Sequence, residues 1–286
     1  MRRAISRILE KLRLIRPTFA LRFLAARWRP SVVWRNLRYS RHRSPGEIPL
    51  PSTSARMLVA GSADIGWFVD GGRLAAQSIR EAVTRAGRDI DRLERILDFG
   101  CGCGRVLRHW VGLRRARLYG TDSQLGLLLE CRRLLPSVRV TVNGPEPPLP
   151  FADESFDLVY CLSVFTHLDE RQQLLWRDEI RRVLKPGGLW LLTTQGLPYM
   201  RKLSRAEQTR FQSGDVVCQR REFRGLNLCQ TFHPEPYVRG VLSEGLTVVD
   251  YQCEGARGNP TQDLYVLRRN PVGAPTARPV PALMEA

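Results

Sequence analysis

From Arg95 onward the chain alternates short apolar runs with amphipathic stretches. Arg95–Phe99, Arg117–Thr121, Arg139–Val142, Phe156–Leu162 and Leu189–Thr194 read as buried strands. Between them, Arg105–Val111, Ser123–Leu134 and Asp169–Leu184 read as helices. The last carries Leu174, Ile180, Val183 and Leu184 at helical spacing and is stopped by Lys185-Pro-Gly-Gly188. A helix over Asp70–Ala86 precedes them, with Leu74, Ala75, Ile79, Ala82 and Val83 facing inward. Two further strands, Leu246–Tyr251 and Asp263–Leu267, come last. Such alternation predicts a mostly parallel sheet covered by helices on both faces.

Outside that pattern the signals weaken. A helix near Arg205–Phe211, a polar strand-like piece at Asp215–Cys218 and a helix at Pro236–Ser243 are expected in the irregular stretch after the fifth strand. Ile5, Ile8, Leu9, Leu12 and Ile15 predict a helix over 4–15, ended by Pro17. A second helix is expected over Thr18–Trp28, then a linker rich in Arg, Ser and Pro from Arg38 to Ser54. The organisation is thus a basic amphipathic helical arm with its linker (1–54), one domain (55–269) and a Pro- and Ala-rich tail (270–286) expected to be disordered.

Charge separates the arm from the body. The net charge is +17 over 286 residues, yet residues 1–44 hold 13 Lys/Arg and a single acid, Glu10. The body is only mildly basic, which argues against a chain built throughout for nucleic acid. The longest uncharged stretch, Pro186–Met200, is broken by glycine and proline and is too short to span a bilayer. Basic residues interrupt every apolar run before residue 44, so no secretory signal is expected. The seven cysteines are odd in number and form no CxxC pair. Reduced thiols and a cytoplasmic setting follow; the arm is read first as contacting the inner face of an anionic membrane, with nucleic-acid phosphates, or docking on the fold or a partner, as the alternatives.

The sharpest chemistry is Ile96-Leu-Asp-Phe-Gly-Cys-Gly-Cys-Gly-Arg105, where a strand meets a helix. Glycines 100, 102 and 104 let the backbone turn tightly and approach a ligand. The dinucleotide pattern GxGxxG needs glycine where Arg105 stands. Tyr119-Gly-Thr-Asp122 follows about 20 residues on, then Leu149-Pro-Phe-Ala-Asp-Glu-Ser-Phe-Asp-Leu-Val159 and Arg182-Val-Leu-Lys-Pro-Gly-Gly188. In this order the four segments resemble the motifs of the class I S-adenosylmethionine-dependent methyltransferases, over about residues 65–195.

The resemblance implies a Rossmann-like seven-stranded sheet, S-adenosylmethionine as cofactor and a role for each matching position. Asp98 is expected near the methionine amino end, with Gly100 and Gly102 giving backbone access beside it. Asp122 is expected to accept both ribose hydroxyls and Asn143 to lie near the adenine. Cys161 and Ser163 are expected to form the floor beneath the sulfonium. The family's variable region, here 197–258, would cover the acceptor, with His233 and Tyr237 as substrate contacts; equally, these two only begin a helix at Pro236. A hydroxyl acceptor needs a base. His167, after the fourth strand, is the candidate; the alternative is that it caps the following helix or packs on Phe165.

Other readings are weaker. Cys101, Cys103 and His109 lack zinc spacing, and no metal is expected. Asp153, Glu154 and Asp157 read as the turn into the fourth strand, with Asp153 and Glu154 solvated, in preference to paired catalytic carboxylates. No [DN]-P-P-[FYW] motif follows that strand, which argues against methylation of adenine or glutamine amides. The acceptor expected is a small molecule, a glycan or a lipid-linked intermediate. Alternatives are an RNA methyltransferase, or a non-catalytic cofactor-binding subunit recruited through the arm.

Overall fold

The computed structural model describes residues 29–42, 44, 46–223, 228–258 and 260–271. The helices expected over 4–15 and 18–28 lie outside them, as does the tail beyond 271.

Seven strands form the main sheet. They are β1 (Arg95–Phe99), β2 (Arg117–Asp122), β3 (Arg139–Val142), β4 (Phe156–Cys161), β5 (Leu184–Thr194), β8 (Leu246–Ala256) and β9 (Gln262–Arg269), ordered β3-β2-β1-β4-β5-β9-β8. The first five run parallel, and β9 lies antiparallel between β5 and β8. The central strands are buried almost without interruption, as a sheet covered on both faces requires, and successive side chains enter two separate cores. Ile96, Leu158, Tyr160, Leu189, Leu191, Leu264 and Val266 join the core on one face. Leu97, Val159, Cys161, Trp190, Leu192, Tyr265 and Leu267 join the core on the other.

Three helices precede the sheet: α1 (Pro30–Arg41), α2 (Thr53–Ala60) and α3 (Ile65–Arg85). The expected linker therefore starts later than Arg38 and ends before Ser54. Proline at the first position sets α1. The Ser52 hydroxyl caps α2 by accepting from the Ala55 N–H. Helix α3 begins five residues before the expected Asp70, because Asp64 caps it by accepting from the Trp67 N–H. Its buried stripe of Phe68, Ala75, Ile79, Ala82 and Val83 lies against the sheet. Helix α1 docks on this corner. Asn36 donates to the Ala63 carbonyl at 3.1 Å and accepts from the Ile65 N–H at 2.8 Å, while Val32 packs with Met57 and Ala63.

Helices α4 (Leu125–Leu134) and α5 (Glu170–Val183) match their expected positions within two residues. Two expected helices shrink. Arg105–Val111 holds only a single turn at Leu107–His109. Pro236–Ser243 becomes one turn at Glu235–Tyr237 that widens over Val238–Leu242, where the Ser243 N–H reaches back five residues to the Val238 carbonyl. Helix α6 (Arg205–Gln212) carries a capping box between Ser204 and Glu207. A second sheet, not expected from the sequence, pairs β6 (Val217–Gln219) with β7 (Gln230–Phe232) in antiparallel fashion.

Asp153 and Glu154 are exposed, as expected, while Asp157 is buried. Asp153 pairs with Arg182 and Glu154 with Arg269. Asp157 accepts from the Glu94 and Arg95 backbone N–H groups and from Lys185, which holds its carboxyl below the usual carboxylate range despite burial. Asp157 thereby ties the start of β4 to the start of β1.

Candidate active site

A cavity of about 1180 Å³ opens at the carboxyl ends of the parallel strands, where β1 and β4 lie side by side and the strand order reverses. It exceeds the roughly 300–1,000 Å³ of ordinary small-ligand sites, leaving room for two molecules side by side.

One end is built by the glycine turn after β1. Gly100 and Gly102 have φ of 84° and 54°, the left-handed region. A Cβ on Gly102 would meet Val59 at 2.6 Å, and one on Gly100 would collide with Val164. The turn is clamped to β2: the Gly100 and Cys101 N–H groups both donate to the Thr121 carbonyl at 2.8 Å. The Gly102 N–H donates to Asp122 Oδ2 at 2.8 Å and the Gln124 N–H to Oδ1 at 2.9 Å. Each Asp122 oxygen thus accepts one backbone bond and retains acceptor capacity. Burial raises the Asp122 pKa, opposed by these N–H groups.

Asp98 is 4% exposed at the end of β1 and accepts from the Tyr160 hydroxyl at 3.0 Å. Burial pushes its pKa up to about 7, opposed by the Tyr160 bond. A cationic ligand group beside it would relieve that penalty. Asn143 donates to the Gly144 carbonyl, while its Oδ1 is buried without a partner. Gln172 on α5 has the same orphan, Oε1. Two unpartnered acceptors in the cavity wall suit a ligand that brings N–H donors, as an adenine amine does. The residues at this end therefore fit the nucleoside and amino groups of S-adenosylmethionine.

His167 lies at the other end, on a single turn at Phe165–His167. Its Nδ1 is 2.7 Å from the Cys229 carbonyl oxygen. A carbonyl only accepts, so Nδ1 carries the proton and Nε2 is left as the lone-pair nitrogen. Burial lowers the pKa, opposed by the Cys229 bond. The ring is therefore neutral at pH 7, and it lines the cavity. Ser163 holds φ of 59°, its N–H donating to Thr193 Oγ1 at 2.7 Å. Its hydroxyl accepts from Gln262 Nε2 at 3.2 Å.

Three expected site residues lie elsewhere. Cys161 is fully buried on the opposite face of β4 from Tyr160, and its sulfur accepts from Trp190 Nε1 at 3.2 Å. Strand alternation, not the cavity, sets its direction. His233 is fully buried with both ring nitrogens unpartnered, which pushes its pKa down to about 3. Its ring packs 6.1 Å from that of Tyr237, whose hydroxyl is also buried without a partner. Neither lines the cavity. An isolated bridge between Gln195 and Phe232 turns this segment behind the wall.

Several wall residues carried no sequence signal. Met57, Leu58 and Trp67 come from α2 and α3, Gln195, Tyr199 and Lys202 from the segment after β5, and Gln230 and Gln262 from the first positions of β7 and β9. Among the described residues no group of three His, Cys, Asp or Glu side chains is placed to hold a metal.

This arrangement defines a nucleotide-cofactor enzyme fold with a second compartment beside the cofactor end. The model of a methyltransferase-domain family matches residues 97–192. A sterol 24-C-methyltransferase of Gibberella zeae is 34% identical over 110 residues, covering 35% of this chain and 28% of that protein. A putative methyltransferase of Encephalitozoon cuniculi is 40% identical over 114 residues, covering 39% and 50%. A malonyl-[acyl-carrier protein] O-methyltransferase of Enterobacter lignolyticus is 31% identical over 118 residues, covering 40% and 45%. The chain thus spans half or less of the length of these relatives. A putative sarcosine dimethylglycine methyltransferase of Galdieria sulphuraria shares the fold, with a TM-score of 0.50 at 14% identity over 68% of this chain and 85% of that one. Residues 97–192 are thus similar to a methyltransferase domain, in agreement with the resemblance of the four sequence segments.

Proposed function

We propose that this chain transfers a methyl group from S-adenosylmethionine to a hydroxyl-bearing small molecule, glycan or lipid-linked intermediate. The observation that supports the reading is one cavity lined both by Asp122, beside the glycine turn, and by an imidazole oriented by the Cys229 carbonyl. When bound, the cofactor supplies a methyl carbon already activated by a sulfonium. Asp122 accepts the ribose hydroxyls, and the Asn143 amide takes an adenine donor. Ionised Asp98 faces the cofactor's positive charge. His167 Nε2 takes the acceptor's proton as its oxygen attacks the methyl carbon, and the Cys229 carbonyl stabilises the imidazolium through Nδ1–H. Gln195, Gln230 and Gln262 offer neutral hydrogen bonds to the acceptor.

A lipid-linked acceptor is favoured by the outer face of α1. Trp34 and Leu37 are 61% and 55% exposed there, with the Arg38 guanidinium 5.7 Å from the Trp34 ring. The helix contains no acid. Aromatic and basic groups on one helical face suit an anionic membrane surface. No helix among the described residues is long and apolar enough to cross a membrane. Two of the relatives bear the names of a sterol and an acyl-carrier substrate, in keeping with apolar acceptors.

The test is label transfer from methyl-labelled S-adenosylmethionine into the lysate of a strain lacking the protein, split into lipid, nucleic-acid, protein and small-molecule fractions. Label in the lipid or small-molecule fraction is expected. Label in RNA would replace the acceptor class, and cofactor binding without label would favour a non-catalytic subunit.

A further inference from the structure

Cys218 and Cys229 lie in the β6–β7 hairpin, where Cys218 pairs with Thr231. Cys229 is two residues before Thr231, so the three side chains share one face of the ladder. The two sulfurs are 3.5 Å apart. That is within about 1.5 Å of a covalent S–S bond, a gap that side-chain rotation with small backbone adjustment can close. Cys218 is partly exposed, whereas Cys229 is buried. The two thiols share a hydrogen bond, and Arg221 lies near Cys218. Both favour the Cys218 thiolate and lower its pKa, against desolvation. The same Cys229 supplies the carbonyl that orients His167.

We infer that Cys218 and Cys229 form a redox-active dithiol whose oxidation to a disulfide displaces the carbonyl holding His167 and slows methyl transfer. The second half rests on the assignment of His167 as the base. With hydrogen peroxide as the two-electron oxidant, the Cys218 thiolate attacks one peroxide oxygen, giving the sulfenic acid and, after proton uptake, water. The Cys229 sulfur then attacks the Cys218 sulfur, loses its proton and expels a second water. Two thiols and one peroxide become one disulfide and two waters. Cys101 and Cys131 also interact, but Cys131 is fully buried and neither belongs to the hairpin that holds His167. Cys253 is exposed and serves as the internal control for non-specific oxidation.

The experiment treats the full chain with hydrogen peroxide and maps tryptic peptides without reduction. The expected product joins residues 211–220 to residues 225–239 with the loss of two hydrogens, reversed by dithiothreitol. Methyl transfer falls at least tenfold on oxidation and recovers on reduction, while S-adenosylmethionine affinity by calorimetry changes less than twofold. Cys218→Ser retains basal transfer and loses the peroxide response. Ring nitrogen shifts of His167 by NMR move on oxidation in the native chain and not in Cys218→Ser, a readout independent of turnover. Oxidation at Cys253 with Cys218 and Cys229 left as thiols overturns the dithiol. A bridge that leaves both the ring shifts and the transfer rate unchanged overturns the coupling. A bridge with shifted ring signals but no transfer in any sample supports the inference and counts against the proposed reaction instead.

Discussion

The two ends of the cavity are built by different means. The cofactor end is made of backbone: a glycine turn, the Thr121 carbonyl and the N–H groups that clamp Asp122. The acceptor end is made of side chains from segments far apart in sequence, including His167, Lys202, Gln230 and Gln262. A backbone cradle tolerates few sequences, because a Cβ at Gly100 or Gly102 would enter occupied space. A wall of side chains can be repainted without disturbing the turn. The cofactor is accordingly written in a motif and the acceptor is not.

Substitutions separate the two ends. His167→Ala is expected to have the largest effect on chemistry, lowering turnover by about 10²- to 10⁴-fold, as loss of a general base does. Cofactor affinity measured alongside stays within about twofold. Because burial lowers the His167 pKa, the midpoint of the fall in turnover with falling pH, at saturating cofactor, lies below the ordinary imidazole value of about 6.5. A midpoint above that value contradicts the neutral-imidazole assignment.

Asp122→Ala gives the largest effect on binding. Hydrogen bonds to a charged group contribute about 1.5–3 kcal/mol each. Losing two from the ribose predicts at least about 100-fold weaker S-adenosylmethionine binding by calorimetry, with the far-ultraviolet circular dichroism of the native fold.

Asp98 gives a pH signature at the same end. Its pKa in the empty site is raised to about 7, chiefly by burial. A cation binds the ionised form, so protonation competes with the ligand and affinity falls as pH drops through that value. The limit is about tenfold per pH unit, one proton released per ligand bound. Asp98→Asn is expected to bind more weakly but with a flat profile from pH 5.5 to 8. A native profile that is already flat removes Asp98 from the cationic end.

The smallest effect is expected at the acceptor wall. The Lys202 ammonium sits 4.3 Å from the Tyr199 ring and lines the cavity. Lys202→Met should raise the acceptor KM about three- to tenfold, the range of one partly exposed contact, with cofactor affinity unchanged. A weaker cofactor and an unchanged acceptor would reverse the assignment of the two ends.

The same contrast decides what could be read from the sequence. Strands β1, β2 and β4 stand where the apolar runs put them, because a strand buried on both faces leaves a nearly uninterrupted signature; β3 keeps its expected bounds though partly exposed, and β5 starts five residues early, at Leu184. Asp98, Gly100, Gly102, Asp122 and Asn143 line the cavity, and the resemblance of the four segments is what singled them out. Cys161 was misplaced because position after a strand does not say which face a side chain takes; the register of β4 sends it toward Trp190. His233 and Tyr237 were misplaced because their location depends on the Gln195–Phe232 bridge, a long-range pairing with no local signal. Tyr160 looked like one more apolar strand residue, and only tertiary contact reveals its bond to Asp98. Gln172, inside an ordinary amphipathic helix, is marked as a wall residue only by its unpartnered oxygen.

The most direct test is a side-by-side calorimetric titration of S-adenosylmethionine into the native protein, Asp122→Ala and His167→Ala. The account predicts tight binding by the native protein and by His167→Ala, and at least about 100-fold loss for Asp122→Ala. Native-like binding by Asp122→Ala, or its loss in His167→Ala alone, would contradict the division of the cavity into a cofactor end and an acceptor end.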